Sequence, residues 1–190
     1  MQDLKRNAYF AGVLLLAMWL VWLVDATIPF DLRSWGLVPR SLWGLPGIVT
    51  MPLIHDGIGH LLRNTVPLIV LLLIVSGTRR KPWPTIGMTV VFGGGLLWIF
   101  GRYANHIGAS GLVFGLIGLL IASGFLHKRI ASIAVAIAVG ILFGGTLIWG
   151  VLPIGEGVSW DGHLTGFLGG IAAALAEQRL ETRLPGFKRQ

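Results

Sequence analysis

Long apolar runs, each bounded by basic or turn-forming residues, limit what this chain can fold into before any motif is considered. Six of them, at residues 8–28, 57–75, 83–101, 110–125, 130–152 and 162–176, are long enough to cross or nearly cross a hydrocarbon core of ~30 Å as helices. Backbone inside a bilayer must satisfy its own hydrogen bonds, so runs of this length imply helices. With 54% hydrophobic residues, only 12% charged and a mean hydropathy of +0.78, the chain is expected to be an all-α integral membrane protein. It is expected to form one six-helix domain over residues 1–190, because the connections are short apart from 29–56. That stretch carries Trp35, Trp43, several prolines and glycines, and Leu37, Val38, Leu42 and Leu45, which suits a loop lying partly in the membrane interface. The first run follows Lys5 and Arg6 as a signal peptide would, but it continues for about twenty residues with no cleavage site, so it reads as a retained span.

Several functional classes drop out. The absence of cysteine removes disulfides, thiolate metal sites and a cysteine nucleophile. The net charge of +7 does not indicate nucleic acid, because the basic residues fall in small groups between apolar runs and form no single face. No metal-ligand cluster and no phosphate-cradling loop is evident, so no metal or cofactor is expected. Gly93-Gly94-Gly95 lies inside an apolar run, where it permits close packing or a bend.

The basic groups report orientation. Lys5 and Arg6, Arg79-Arg80-Lys81, Lys128-Arg129, and Arg179, Arg183, Lys188 and Arg189 fall on the side that carries both termini, whereas Arg33, Arg40 and Arg102 fall on the other. By the positive-inside rule both termini are cytoplasmic and the loops with Trp35, His106 and Asp161 face outward, together with Asp25, Asp31, Asp56 and Glu156.

Polar side chains inside apolar runs are costly and therefore informative. They are His60, Arg63 and Asn64 in the second run, Ser110 at the start of the fourth and His163 in the sixth. Asn64 and His60 stand 15 and 19 residues before Arg79, Ser110 stands 18 before Lys128, and His163 stands 16 before Arg179. Helical rise converts these separations to depths of roughly 22, 28, 27 and 24 Å, one layer near the outer surface. Gly111 and Gly115, and Gly166 and Gly170, are small-residue pairs that would let the fourth and sixth helices approach, placing Ser110 and His163 within hydrogen-bonding reach. His60 and Asn64, at i and i+4, share a helix face and could donate to a developing oxyanion, or simply tie helices together. Serine, histidine and polar donors in one layer make an acyl-transfer constellation, although a serine in Gly-Ala-Ser-Gly ordinarily packs and bonds its own backbone.

The pattern resembles the rhomboid intramembrane serine proteases. The resemblance rests on His55-x4-His60-x3-Asn64, Gly108-x-Ser110-Gly111 and His163-x2-Gly166-x3-Gly170, in that order on a six-run framework. It implies a dyad of Ser110 as nucleophile and His163 as base, with His60, Asn64 and the Ser110 N–H forming the oxyanion hole and Phe114 stacking on His163. The adjacent Trp-Arg pair often found in the family's first outer loop is absent, since Trp35, Arg40 and Trp43 are separated. His55 either supports the site or sits in the loop. Arg63 is expected to snorkel or to pair with an acid such as Asp56. Asp161 is two residues from His163 and would project from another side of the helix, and His106 and His127 read as loop or interface residues.

The expected activity is endopeptidase cleavage of membrane-anchored proteins in or near their transmembrane segments, with single-span proteins as substrates and a bacterial cell membrane as the location. Lateral access past the second or fifth span and a mobile outer cap are implied by the resemblance alone. A catalytically silent member that binds membrane-protein clients is the alternative, against which the presence of both Ser110 and His163 weighs. A small transporter would call for internal repeats and a midplane charge cluster, and neither is seen.

Overall fold

In the computed structural model, which describes residues 2–79, 81–154 and 157–183, six long helices correspond one to one with the apolar runs. They are α1 (Gln2–Thr27), α3 (Ile58–Thr78), α4 (Pro82–Phe100), α5 (Ser110–His127), α6 (Ile130–Val151) and α7 (Trp160–Arg183), with a single turn, α2 (Gly47–Thr50), in the long loop. Arg80, Glu156, Lys188 and Arg189, assigned to sides above, lie outside the described residues. Helix limits follow local chemistry. Pro82 opens α4, where its fixed φ and missing N–H are harmless, and α1 and α6 stop shortly before Pro29 and Pro153. Five of the six helices are long and apolar enough to cross a membrane. The exception is α7, in which glycine, alanine and polar residues replace the bulky apolar side chains of a lipid-facing helix.

Burial explains that composition. Helix α5 is central, with 67% of its apolar window buried, against 6% for the peripheral α6. Helix α7 lies directly on α5. A Cβ at Gly166 would collide with the Gly111 carbonyl, and one at Gly170 with the Gly115 carbonyl. On its other face α7 meets α4, where a Cβ at Gly169 would strike the Gly93 backbone. Lipid tails are as apolar as leucine, so helix association in a membrane depends on dispersion and polar contacts, and both improve when backbones approach this closely.

At the end of the bundle away from Ser110, Arg79 and Glu177 are buried and bonded to each other at 3.0 Å. Arg79 also donates to Ser123 at 2.8 Å, and Thr85 donates to Glu177 at 2.9 Å, so one network ties α3, α4, α5 and α7. Arg79, one of the basic residues that report orientation, has an interior guanidinium, lowered by burial to about 10 and still charged at neutral pH.

The long loop is a strap. Leu37 pairs with His106 through a two-hydrogen-bond antiparallel bridge, Arg40 N–H donates to the Trp98 carbonyl at 2.9 Å, and Trp98 Nε1 donates to the Ser41 carbonyl at 2.9 Å. Trp43 is 93% exposed, as an interfacial anchor requires, but Leu37 is fully buried with Met51 and Leu97 in a small core of its own. The strap therefore has an interior side as well as an outer one.

Two substitutions separate these terms. Gly170→Val forces a side chain into the α5 backbone and should cost at least about 3 kcal/mol in reversible unfolding in detergent. Gly140→Ala in α6, where the added Cβ meets nothing, should leave stability unchanged or raise it by up to ~1 kcal/mol. Glu177→Gln removes the carboxylate bonded to the buried Arg79 guanidinium, leaving Glu181 as an acid that still acts on it, and should cost about 3 kcal/mol in the same measurement.

Candidate active site

Ser110 is the first residue of α5, and the segment before it is held on three sides. Asp161 of α7 accepts from the Arg102 N–H at 2.8 Å and from Arg102 Nη2 at 3.1 Å. The His106 ring is bonded to Ser159 at 2.7 Å and to the Arg102 carbonyl at 3.1 Å, while its backbone pairs with Leu37. His106 is thus a buried anchor of this segment and not an interface residue. Gly108 N–H donates to the Met51 carbonyl at 3.0 Å. Gly108 has φ +104°, a conformation that favours glycine, and a Cβ there would lie 2.5 Å from His60 Nε2. No side chain caps α5 at Ala109, and the N–H groups of a first helical turn find no acceptor within the helix, so donors are available beside the Ser110 hydroxyl.

Helix α3 brings His60 and Asn64 to Gly108. His60 Nδ1 bonds Asp56 Oδ1 at 2.8 Å, and because a carboxylate only accepts, Nδ1 carries a proton. Asn64 is buried and uses one Nδ2 hydrogen on the His60 carbonyl at 3.1 Å, leaving a second to donate. His55 is buried, accepts from Ala109 N–H through Nε2 at 3.4 Å and stands edge-to-face with His60 at 5.0 Å. Burial, and then the neighbouring His60, hold the His55 imidazole down to about 4, consistent with its acceptor role. Of the two readings of His55, support for the site is the one its contacts favour. Asp56 is occupied by His60 and forms no ion pair with Arg63, which lies exposed with Nη1 beside Gly59.

His163 meets Ser110's helix from the facing turn of α7. Gly111 lies against Gly162 and Gly166, and Gly115 against Gly166, so α5 and α7 run parallel in a register that sets Ser110 level with the turn containing His163. Phe114 stacks on the imidazole with centroids 4.1 Å apart and planes 4° from parallel. His163 Nδ1 donates to the Gly150 carbonyl at 2.8 Å, so in the neutral ring Nε2 keeps its lone pair. Gly150 is in the last turn of α6, where carbonyls lack helical partners and the helix dipole favours positive charge. A Cβ at Gly150 would fall on the Phe114 ring, so only glycine fits beneath the stack.

The direct hydrogen bond expected between Ser110 and His163 is not formed among the described residues; the two occupy facing turns with the Nε2 lone pair uncommitted. Catalytic hydrogen bonds commonly tighten only once substrate is bound. Asp161 is turned toward Arg102 and takes no part in orienting His163. Among the described residues, no group of three potential ligands could hold a metal ion. What the site offers is a hydroxyl at a helix N-terminus, an imidazole fixed as an acceptor, and neutral or chargeable donors on one side, the parts of acyl transfer.

Sequence reasoning passed over Gly150, whose contribution is a backbone carbonyl that no residue code announces, and took Asp56 for an outer acid that Arg63 could pair with, whereas it bonds His60. Gly108→Ala would push the His60 ring from its seat. The expected result is about a 100-fold slower reaction of Ser110 with a fluorophosphonate, with folding retained in a thermal unfolding assay.

Comparison with known proteins gives a consistent picture. Residues 39–179 match the Rhomboid domain family. An uncharacterized protein of Mycobacterium tuberculosis is 34% identical over 203 aligned residues, covering 99% of this chain and 84% of the relative, and one of Mycobacterium bovis matches equally. An uncharacterized protein of Mycobacterium leprae is 36% identical over 168 residues, covering 83% of this chain and 66% of that protein.

Proposed function

Because the chain belongs to the rhomboid family, multi-pass membrane proteins that are generally intramembrane serine proteases, we propose that it is a serine endopeptidase acting on membrane-anchored proteins through a Ser110–His163 dyad. The observation that carries this reading is the His163 ring: stacked on Phe114, held at Nδ1 by the Gly150 carbonyl, and level with Ser110, so that in the neutral ring Nε2 is the acceptor.

His163 Nε2 takes the proton from Ser110 as the hydroxyl oxygen attacks the scissile carbonyl. The resulting oxyanion is met by the Ser110 N–H, Asn64 Nδ2 and His60. The imidazolium is stabilised by the Gly150 carbonyl and the C-terminal dipole of α6, which replace the carboxylate of a Ser-His-Asp triad. His163 then returns the proton to the departing amine, leaving an acyl-enzyme that water hydrolyses by the reverse sequence. An extended stretch of substrate and that water must both reach Ser110, so substrates are single-span proteins whose transmembrane segments unwind readily near the outer surface.

In this reading α7 is a sixth crossing despite its low apolarity, both termini are cytoplasmic, residues 1–190 form one membrane domain, and the protein resides in a bacterial cell membrane. The test is cleavage of a model single-span substrate in liposomes. Ser110→Ala and His163→Ala should abolish cleavage, a loss on the order of 10^6-fold in kcat, and Asn64→Ala should reduce it ~100-fold. Cleavage by Ser110→Ala at the wild-type rate would overturn the proposal.

A further inference from the structure

Of the three polar residues near the start of α3, His60, Arg63 and Asn64, only Arg63 has no task in the proposed reaction. Helix α3 packs on α1 and α5, burying Leu61, Asn64, Thr65, Leu68 and Leu72, while Ile58, Leu62, Arg63 and Val66 are exposed. Each residue turns a helix by about 100°, so Arg63 stands about 60° around α3 from His60, and Asn64 about 40° the other way. His60 lies against Gly108, so Arg63 is the next side chain outward, where the site-facing surface of α3 becomes the lipid-facing one. Its Nη1 reaches back one turn to lie beside Gly59, which has no side chain to obstruct it. Gly59 stands 20 residues before Arg79, a height of roughly 30 Å against roughly 27 Å for Ser110, so the guanidinium is about level with the serine.

A guanidinium carries five N–H donors and no acceptor, and at the edge of a membrane its charge is best met by an anion. Among the described residues no acid bonds to it: Asp56, the nearest in sequence, is bonded to His60 at 2.8 Å. A lipid phosphate would serve an arginine anywhere on the lipid-facing arc of α3. What distinguishes Arg63 is its place at the one edge of that arc that borders His60. Helix α6 packs on α5 and α7, and among the described residues no packing of comparable extent joins it to α3, so this edge stays open. A chain that leaves lipid along this edge for Ser110 passes within reach of the guanidinium.

We propose that Arg63 is a specificity-determining residue that pairs with an acidic side chain of the substrate, on the stretch running from lipid to Ser110. This rests on the protease reading of Ser110 and His163. Side chains one helical turn apart stand about 5–6 Å from each other, and extended chain advances about 3.3–3.6 Å per residue, which puts the acid within roughly four residues of the cleaved bond. The planar guanidinium can take a carboxylate through two parallel hydrogen bonds, so aspartate or glutamate is held by geometry as well as by charge. The preferred substrates are then single-span proteins with Asp or Glu close to the segment that unwinds near the outer surface. No bond is made or broken at Arg63, which acts on substrate binding alone.

The experiment is cleavage of paired single-span substrates by the full chain, in vesicles of phosphatidylcholine alone and in vesicles that also contain phosphatidylglycerol. Each pair differs only in Asp against Asn at one position near the cut. Wild type should favour Asp about 10-fold in kcat/KM at one or two of these positions, chiefly through KM, in both kinds of vesicle and less so at high salt. Arg63→Gln should bring that ratio close to one, Arg63→Lys, which keeps the charge without the planar fork, should fall between, and Arg63→Glu should favour Lys at the same position. Each ratio is taken within one variant, so a uniform loss of rate or of folded protein does not change it. A wild-type ratio near one at every position, or a ratio that Arg63→Gln leaves intact, would overturn the role of Arg63 and leave the dyad standing. A wild-type rate that follows phosphatidylglycerol content equally for Asp and Asn substrates, and loses that dependence in Arg63→Gln, would assign the guanidinium to lipid and overturn it as well. A wild-type protein that neither cleaves nor reacts with a fluorophosphonate would remove the protease reading and this inference together.

Discussion

Direct backbone contact between α5 and α7 is the constraint on which the rest of the molecule depends. At Gly111, Gly115, Gly166 and Gly170 no side chain separates the two helices, and an added methyl group at either α7 position would enter the α5 backbone. A contact of that kind admits one register. A slip by one turn, about 5.4 Å, would bring Cβ atoms into the seam and carry the His163 ring away from Phe114 and from the level of Ser110. The same glycines explain why α7 is less apolar than its neighbours: a helix surrounded by α4 and α5 presents little surface to lipid and is selected for thinness.

Polar contacts at the two ends of this seam then hold it in place. On one side, the buried Arg79–Glu177 pair joins four helix ends, with Ser123 and Thr85 completing the hydrogen bonding that two charges removed from water require. On the other, Asp161 and the Leu37–His106 bridge fix the segment that delivers Ser110. Asp161 is the acid nearest His163 in sequence, yet it serves the scaffold. The partner of the imidazole is a helix-end carbonyl, which gives orientation while the buried carboxylate of Asp161 bonds to Arg102.

Much of this was legible in the sequence because a bilayer imposes few solutions. Run lengths located the helix ends to within three residues, except that α1 starts six residues earlier and α7 ends seven residues later than the runs, and counting helical rise placed His60, Asn64, Ser110 and His163 at one depth before any contact was known. What was not legible shares a cause. Arg79 reads only as a marker of orientation, because the burial of its guanidinium depends on Glu177, 98 positions away. Leu37 and His106 read as loop residues because their pairing joins two loops. Gly150 was silent because its contribution belongs to a backbone carbonyl, and Asp56 read as an acid for Arg63 because side-chain direction decides which neighbour it meets, here His60.

The sequence by itself determined that the chain is an all-α membrane protein, where its helices lie, and which few polar residues share a depth, since each follows from local hydropathy and the fixed rise of a helix. It also carried the family motif. Only the tertiary structure decided which atoms face each other: that His163 is oriented by Gly150 and not by Asp161, that His60 is engaged by Asp56, and that Ser110 and His163 lie on facing turns without a direct hydrogen bond. Those outcomes depend on the rotation and register of packed helices, which are settled by glycine contacts and buried hydrogen bonds between residues far apart in the chain.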